Sequence, residues 1–132
     1  MQFDGADDPS CESTFAMLLV SGDNIEIDEF TRRFALTPTE AGKAGDCSCW
    51  QISSASSVAS TNAERHIHWI LDQVASKKAE IDFLKREKNC QIDLGCEWQP
   101  HPQSDCIGPL ITPETLRRIA DFDLNLILYF RR

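Results

Sequence analysis

The nine residues STFAMLLVS at positions 13–21 decide the fold. Successive side chains of a strand point to opposite faces, so this stretch would present apolar residues on both sides. The two sets are Phe15, Met17 and Leu19 on one face, and Ala16, Leu18 and Val20 on the other. Strands that are apolar on both faces are typical of covered sheets. The sequence therefore predicts an interior strand of a covered sheet here.

Strand patterns in the sequence predict three more strands. A short strand is expected over residues 49–53, with its inward side chains from Trp50 and Ile52. Residues 90–98 alternate between apolar and polar or small side chains, which predicts a half-buried strand with the inward residues Cys90, Ile92, Leu94, Cys96 and Trp98. The last strand, residues 124–130, is apolar on both faces and is therefore expected inside the sheet.

Four helices are predicted between these strands. Their expected N-caps are Asp28, Asn62, Ser76 and Thr112. The first helix would bury Ile27, Phe30 and Phe34, and the last would bury Leu116, Ile119 and Ala120. Residues 41–46 hold two glycines and are predicted to form a loop.

The resulting order is β-α-β-α-α-β-α-β. Because the sequence has no glycine-rich phosphate loop, it favours a single two-layer α+β domain over a nucleotide-binding sheet. The sheet is expected to be mixed or antiparallel, with the helices packed on it. Residues 1–13 are predicted to be a flexible acidic tail, and residues 14–132 the domain.

Charge narrows the possible partners. The chain has 132 residues and a formal net charge of −8, which argues against a nucleic-acid partner. The longest apolar run, residues 15–20, is far too short to cross a bilayer, so no membrane partner is expected. The first thirteen residues are acidic and lack the basic start of a signal peptide. A cytoplasmic location is therefore expected.

Six cysteines raise the alternatives of disulfides and a metal site. Their irregular spacing, together with the expected cytoplasmic location, favours free thiols. A zinc site would have to combine Cys47 and Cys49 with Cys96, His101 or Cys106. Structural zinc sites normally use two pairs with two to four intervening residues. We therefore expect neither a metal nor another cofactor.

Catalytic motifs are weak in this sequence. His66 and His68 are two residues apart, so on a helix they point to nearly opposite sides and cannot share a ligand. There is no nucleophile elbow, P-loop or dinucleotide fingerprint. The sequence therefore indicates a protein that is not an enzyme. The alternative is a small enzyme or ligand-binding domain with a pocket near His101.

Acidic residues are concentrated in the first half of the chain. Residues 1–60 carry ten acidic and three basic side chains, whereas residues 61–132 carry eleven and ten. Solubility alone could explain this excess. The alternative is a binding surface for a basic partner, with the candidate residues Asp23, Glu26, Asp28, Glu29, Asp93 and Glu97. Trp69 lies opposite the apolar stripe of its helix and is either packed under a neighbour or an exposed interface anchor.

A set of short motifs resembles a known bacterial family. It comprises Ser21-Gly22-Asp23, Leu36-Thr37-Pro38-Thr39, Gly45-Asp46, Trp50-x-Ile52, Ile111-Thr112-Pro113-Glu114 and Leu126-x-Leu128-Tyr129. From about Phe15 to the C-terminus, the chain resembles the domain-of-unknown-function family 4279. The resemblance implies a small, single-domain cytoplasmic protein, and some such proteins look like immunity partners of polymorphic or contact-dependent toxins. We therefore expect an immunity protein that neutralises a cognate, basic toxin.

Overall fold

Five strands and four helices make up the part of the chain that the structure, a computed structural model, describes, residues 5–131. The strands are β1 (Cys11–Asp23), β2 (Glu40–Ala44), β3 (Cys47–Ser53), β4 (Gln91–Pro100) and β5 (Asn125–Phe130). The helices are α1 (Ile27–Phe34), α2 (Ala63–Gln73), α3 (Lys78–Glu87) and α4 (Pro113–Asp121). No helix within residues 5–131 combines the length and apolar character needed to cross a membrane.

The strands form one mixed sheet in the order β2-β3-β1-β4-β5. β1 pairs antiparallel with β3 and β4, so the prediction that it is an interior strand is confirmed. β4 and β5 run parallel, because α4 carries the chain back across the helix layer between them. The predicted α+β class with a mixed sheet and packed helices is therefore confirmed.

Two predictions about strands are wrong. β5 lies at the edge of the sheet, not inside it, since only β4 pairs with it among the described strands. The predicted loop over residues 41–46 is mostly the strand β2, which pairs antiparallel with β3. A two-residue turn joins the two strands, and Gly45 adopts a φ of +63° there, a conformation that glycine favours.

Two of the four predicted helix N-caps are correct, and two are wrong. Asn62 and Thr112 cap α2 and α4 with their side chains, as predicted. Asp28 is not an N-cap but lies in the first turn of α1, and Lys77 takes the position predicted for Ser76. α4 buries Thr115 and Ile119 but leaves Leu116 and Ala120 exposed, because it lies above the edge strand β5, where fewer neighbours cover it.

The hydrophobic core lies between the sheet and the helix layer. Leu18 of β1 and Leu94 of β4 face Ile67 and Ile70 of α2, and all four are fully buried. Further core contacts include the stacked rings of Phe34 and Trp50, whose centroids are 5.1 Å apart. The predicted inward cysteines, Cys90 and Cys96, are also buried in this core.

The segment before β1 is tied to the domain. β1 begins at Cys11, which is buried, so residues 11–13 belong to the sheet and not to the predicted tail. Asp7 accepts hydrogen bonds from the Ser60 hydroxyl and the Thr61 amide, and the Asp8 amide donates to the Thr61 hydroxyl. Residues 7–13 therefore contact the domain or belong to its sheet, and residues 1–4 fall outside the described residues.

Candidate functional site

One face of the sheet is open, because all four helices pack against the other. α1 contacts β3, α2 contacts β1, α3 contacts β4, and α4 contacts β5. On β1, the side chains of Ala16, Leu18 and Val20 enter the core, whereas Phe15 and Leu19 are half-buried on the opposite face. The expectation of a sheet covered on both sides is therefore wrong. We call the uncovered side the open face.

An apolar patch forms at the centre of the open face, around Gly95 of β4. A methyl group at Gly95 would lie 3.2 Å from Met17 Cγ, 3.2 Å from Tyr129 Cε2 and 3.3 Å from Leu19 Cδ1. Side chains from β1 and β5 therefore close over the position where glycine has no side chain. Tyr129 is 41% exposed. The apolar patch consists of Met17, Leu19 and Tyr129.

A cavity of about 470 Å³ borders this patch. It spans four strands, and its lining includes Leu19, Ser21, Glu40, Gly42, Cys49, Gln51, Gln91 and Asp93. Leu19 belongs to both the cavity and the apolar patch. The cavity therefore offers an apolar wall beside amide, hydroxyl, thiol and carboxylate groups.

Two carboxylates in this cavity are held by neutral donors. Asp93 is only 5% exposed, and its oxygens accept hydrogen bonds from Gln91 Nε2 at 2.9 Å and Asn125 Nδ2 at 3.1 Å. Glu40 Oε2 accepts a hydrogen bond from Gln51 Nε2 at 3.1 Å. Amide donors orient a carboxylate without cancelling its charge. The cavity therefore has a negative character that suits a cationic group.

The other end of the open face is electrostatically balanced. Glu97 forms an ion pair with Arg131, and both line a smaller cavity of about 140 Å³ together with Phe15. Because Arg131 compensates Glu97, the negative potential of the open face is concentrated around Asp93 and Glu40.

The structure separates the candidate residues predicted from the sequence. Three lie on the open face: Asp23, which is exposed beyond Ser21 at the end of β1, and Asp93 and Glu97 on β4. The other three acidic residues, Glu26, Asp28 and Glu29, lie in or beside α1 in the helix layer.

The acidic residues near α1 are partly compensated by basic side chains. Glu26 pairs with Lys43 at 3.3 Å, and Glu29 pairs with Arg33 at 2.8 Å. The hydrogen bond from Arg33 lowers the pKa of Glu29 below its usual value. This cluster is therefore a weaker source of negative potential than its sequence spacing suggests.

Trp69 lies in the helix layer, away from the open face. It is half-buried, packs against the core, and lines a cavity of about 300 Å³ with Arg65, His68 and Asp72. Of the two alternatives predicted for Trp69, packing under a neighbouring element therefore fits better than an exposed interface anchor.

All six cysteines are free thiols. Burial raises the pKa of Cys11 and of Cys96 to about 11, so both stay protonated at neutral pH. Cys49 is exposed on the open face, and Cys106 is exposed in the loop before α4. Within residues 5–131, no group of three or more His, Cys, Asp or Glu side chains is arranged to hold a metal ion.

Ser54 and His66 form a buried pair that resembles a nucleophile and its base. The Ser60 carbonyl oxygen lies 2.8 Å from His66 Nε2 and can only accept, so Nδ1 accepts from Ser54 Oγ at 2.6 Å. Ser54 Oγ also accepts from the Ala16 amide at 2.9 Å. Both residues are at most 1% exposed, so this pair joins β1, the end of β3 and α2 but offers no access to a substrate.

A second buried network joins α2 to α4. Arg118 donates from Nη1 to His68 Nδ1 at 2.8 Å, so His68 Nε2 carries the proton and donates to Thr115 Oγ1 at 3.0 Å. Thr115 Oγ1 in turn donates to Glu64. Glu64 also accepts from the Thr112 amide at 2.9 Å, which places a carboxylate at the N-terminus of α4.

Opposing effects act on the Glu64 carboxyl group. Its burial would raise the pKa, but the hydrogen bonds from Thr115 and Thr112 outweigh burial and lower it. A charged Glu64 beneath the first turn of α4 fixes this helix against α2. The network therefore has a structural role in positioning α4.

His101 lines none of the three cavities above, and a fourth cavity of about 360 Å³ lies between the segment before β1, the start of α2 and the loop before α4. The pocket predicted near His101 therefore has no counterpart among these four cavities of residues 5–131. His101 is half-buried, its Nδ1 accepts from the Gln103 amide at 3.3 Å, and its Nε2 lies 3.9 Å from Glu12 Oε2. These contacts order the loop after β4.

We expect the free energy of unfolding to fall as the pH is lowered from about 7.5 to about 5.5. Burial lowers the pKa of both His66 and His68 below the usual 6.5, so the folded chain resists protonation. The unfolded chain takes up these protons as the pH falls through about 6.5, which costs at most about 1.4 kcal/mol per pH unit for each histidine. Urea unfolding at several pH values measures this slope.

The matched variants are His66→Asn and His68→Asn, which remove the titrating rings one at a time. Each variant is expected to be less stable than the original chain at pH 7.5 but to lose less stability on acidification. Unchanged slopes in both variants would assign the pH dependence to other groups.

Sequence reasoning missed several residues of the open face: Met17, Leu19, Glu40, Gln51 and Tyr129. The apolar character of both faces of β1 was a signal, but it does not distinguish a covered face from a binding face. Glu40 gave no signal, because β2 was not predicted as a strand.

The fold and the open face define a class of protein: a two-layer α+β domain with one sheet face available for binding. Comparison with known families identifies the family within this class. A model of the family "Domain of unknown function (DUF4279)" matches residues 12–129, and the chain belongs to this family. No curated protein and no solved structure matches the chain.

Proposed function

We propose that this protein is an immunity protein that binds and neutralises a cognate bacterial toxin domain, and that the open face is its binding surface. The observation that supports this proposal is the apolar patch beside a cavity with two uncompensated carboxylates, Asp93 and Glu40. The proposed partner is basic, the proposed location is the cytoplasm, and the proposed activity is binding without catalysis.

The arrangement of the open face suits a protein partner. Interfaces commonly combine a desolvated apolar centre with a polar or charged rim, and a few residues carry most of the affinity. Met17, Leu19 and Tyr129 would supply the centre, and Asp93 and Glu40 would receive an arginine or lysine of the toxin.

The net charge of −8 supports the same proposal. A toxin that acts on nucleic acid needs a cationic cleft to hold phosphate groups. An acidic inhibitor both blocks such a cleft and gains association rate through long-range attraction. Asp23, exposed at the cavity end of β1, extends the negative region along the open face.

A second candidate function is the binding of a small cationic ligand in the same cavity. Its volume of about 470 Å³ falls within the range of small-molecule sites, about 300–1,000 Å³. The order of genes on the chromosome is the simplest observation that distinguishes the two candidate functions. An immunity gene is expected directly beside a gene for a large toxin.

The association rate with this neighbouring toxin domain tests the proposal. The dissociation constant should be nanomolar or lower, about −12 kcal/mol or stronger, because a lethal activity demands near-complete occupancy. Asp23→Asn and Glu40→Gln should each lower the association rate about two- to tenfold at low salt, since each removes a steering charge. Raising the salt concentration should lower the original rate and shrink this difference.

The matched control is Asp82→Asn, which removes the same charge from an exposed position on α3 in the helix layer. Stopped-flow mixing gives the rates of all variants. If Asp82→Asn slowed association as much as the open-face variants, the charge would act only through the net charge. A salt-insensitive rate would contradict the electrostatic part of the proposal.

A further inference from the structure

The exposed apolar side chains of this protein gather at one end of the domain. Across residues 5–131, the large hydrophobic residues that are exposed are Ile107, Leu110, Leu116, Tyr129 and Phe130. All five belong to the loop before α4, to α4 itself or to β5. A methyl group at Gly108 would lie 3.2 Å from Phe130 Cε1, so this loop contacts the end of β5.

β5 lacks the usual protection of an edge strand. Natural edge strands avoid unwanted pairing through charged side chains, proline or bulges. β5 has the sequence NLILYF, with no charged residue and no proline, and its pairing with β4 is regular. The opposite edge, β2, has five exposed residues, including Glu40 and Lys43. The two edge strands of the sheet therefore differ in charge: β2 carries charged side chains, and β5 carries none.

Charge at the β5 end also differs from the rest of the molecule. Residues 107–131 contain three acidic and three basic side chains, so this end is neutral within a chain of net charge −8. Two acidic molecules can approach each other here with the least repulsion. A strongly basic partner, in contrast, gains no attraction from this end.

The ends of β5 carry complementary charges. Asp123 precedes the strand and Arg131 follows it, and their side chains are 76% and 69% exposed. Asp123 contacts Lys85, and Arg131 contacts Glu97, but both retain room for a further partner. Asp123 lies in the turn before β5, with a φ of +56°. If two β5 strands paired antiparallel about Ile127, this turn would lie at the same end of the paired strands as Arg131 of the partner subunit. A parallel pairing would instead place like charges together.

We infer that β5 is a homodimer interface, in which a second copy of this chain pairs antiparallel with β5 around a two-fold axis normal to the sheet. The pairing satisfies the outward backbone groups of both edge strands and joins the two sheets into one of ten strands. Both helix layers then lie on the same side, where Leu116 and Phe130 widen the contact. This inference is independent of the proposed toxin binding.

Charge reversal tests this interface with the full chain. Sedimentation equilibrium over about a hundredfold range of concentration should show a dimer for the original protein. Asp123→Arg and Arg131→Glu should each raise the dimer dissociation constant about tenfold or more, because each places like charges opposite one another. The double variant should restore dimerisation to within about threefold of the original.

The double variant distinguishes contacts between two copies of the chain from contacts within one copy. The double variant does not restore the Asp123–Lys85 or Glu97–Arg131 contacts, so its recovery can only come from pairing between copies. Asp82→Arg on α3 is the matched control and should leave the dimer unchanged.

Two results would overturn the inference: a monomer at every concentration, and a dimer that the single reversals do not weaken. If the protein is a monomer and the single reversals weaken the toxin complex, the β5 edge is assigned to the toxin instead. Because both residues are exposed, thermal melting should confirm that every variant is folded.

Discussion

Leu94→Ala is expected to lower the free energy of unfolding by about 2–5 kcal/mol, and Leu126→Ala by about half as much. The two leucines lie opposite each other in register on β4 and β5. Leu94 is fully buried between β1 and β5, whereas Leu126 is half-buried on the edge strand. Truncation in the interior leaves a cavity, but at the edge the neighbouring side chains and water can fill the space.

Equilibrium unfolding in urea gives both values under identical conditions. The pair forms its own control, because the chemical change is the same and only the position in the sheet differs. Both measurements are made at protein concentrations low enough for the chain to be monomeric, so that β5 is the edge strand. Equal losses, or a larger loss at Leu126, would then restore the sequence-based prediction that the last strand lies inside the sheet of one chain.

Leu19→Lys is expected to weaken binding of the proposed toxin partner about a hundredfold or more. Leu19 belongs to both the apolar patch and the wall of the cavity, so its replacement removes apolar contact at the centre of the open face. The new ammonium group also repels a basic partner in the place where Asp93 and Glu40 would attract it. Isothermal titration against the toxin domain measures the change.

Ser76→Lys is the matched control, because it adds the same charge at an exposed position between α2 and α3. It should change the affinity by less than about threefold. Leu19 is half-buried and lies outside the core, so a lysine can extend toward solvent and the melting temperature should stay nearly constant. A similar loss of affinity in both variants would place the interface elsewhere.

The sequence predicts the central strand of the sheet better than the layers that cover the faces of the sheet. The apolar run of β1 predicts an interior strand, because it places apolar residues on both faces. The run does not show whether a second layer covers each face. Met17 and Leu19 have the character of buried residues, but they belong to the open face. A binding surface and a core face use the same residue types.

The errors in the edge strands have a related cause. β5 is apolar on both faces because its core side lies under α4 and its other side adjoins the apolar patch. The apolar residues of β5 therefore reflect its contacts with α4 on one face and with the apolar patch on the other. They do not indicate an interior position in the sheet. β2 was missed because all five of its residues are exposed, which leaves no alternation for a pattern to detect.

The candidate site could be predicted only in part. Asp23 stands out in the sequence as part of an acidic cluster after the first predicted strand, whereas Asp93 and Glu97 stand out on the outward face of a predicted strand. Their grouping depends on the pairing of β1 with β4, and the cavity combines residues from four strands that are distant in sequence. The contact of Tyr129 with Gly95 likewise depends on the parallel register of β5. No local pattern contains this information.

Thiol alkylation in the complex tests the role of the open face most directly. The chain carries two exposed cysteines: Cys49, in the lining of the cavity, and Cys106, in the loop before α4. With the toxin domain in excess, mass spectrometry should show that alkylation of Cys49 is slowed about tenfold or more, while Cys106 reacts at its original rate. An unchanged alkylation rate of Cys49 in the saturated complex would contradict the assignment of the open face as the binding surface.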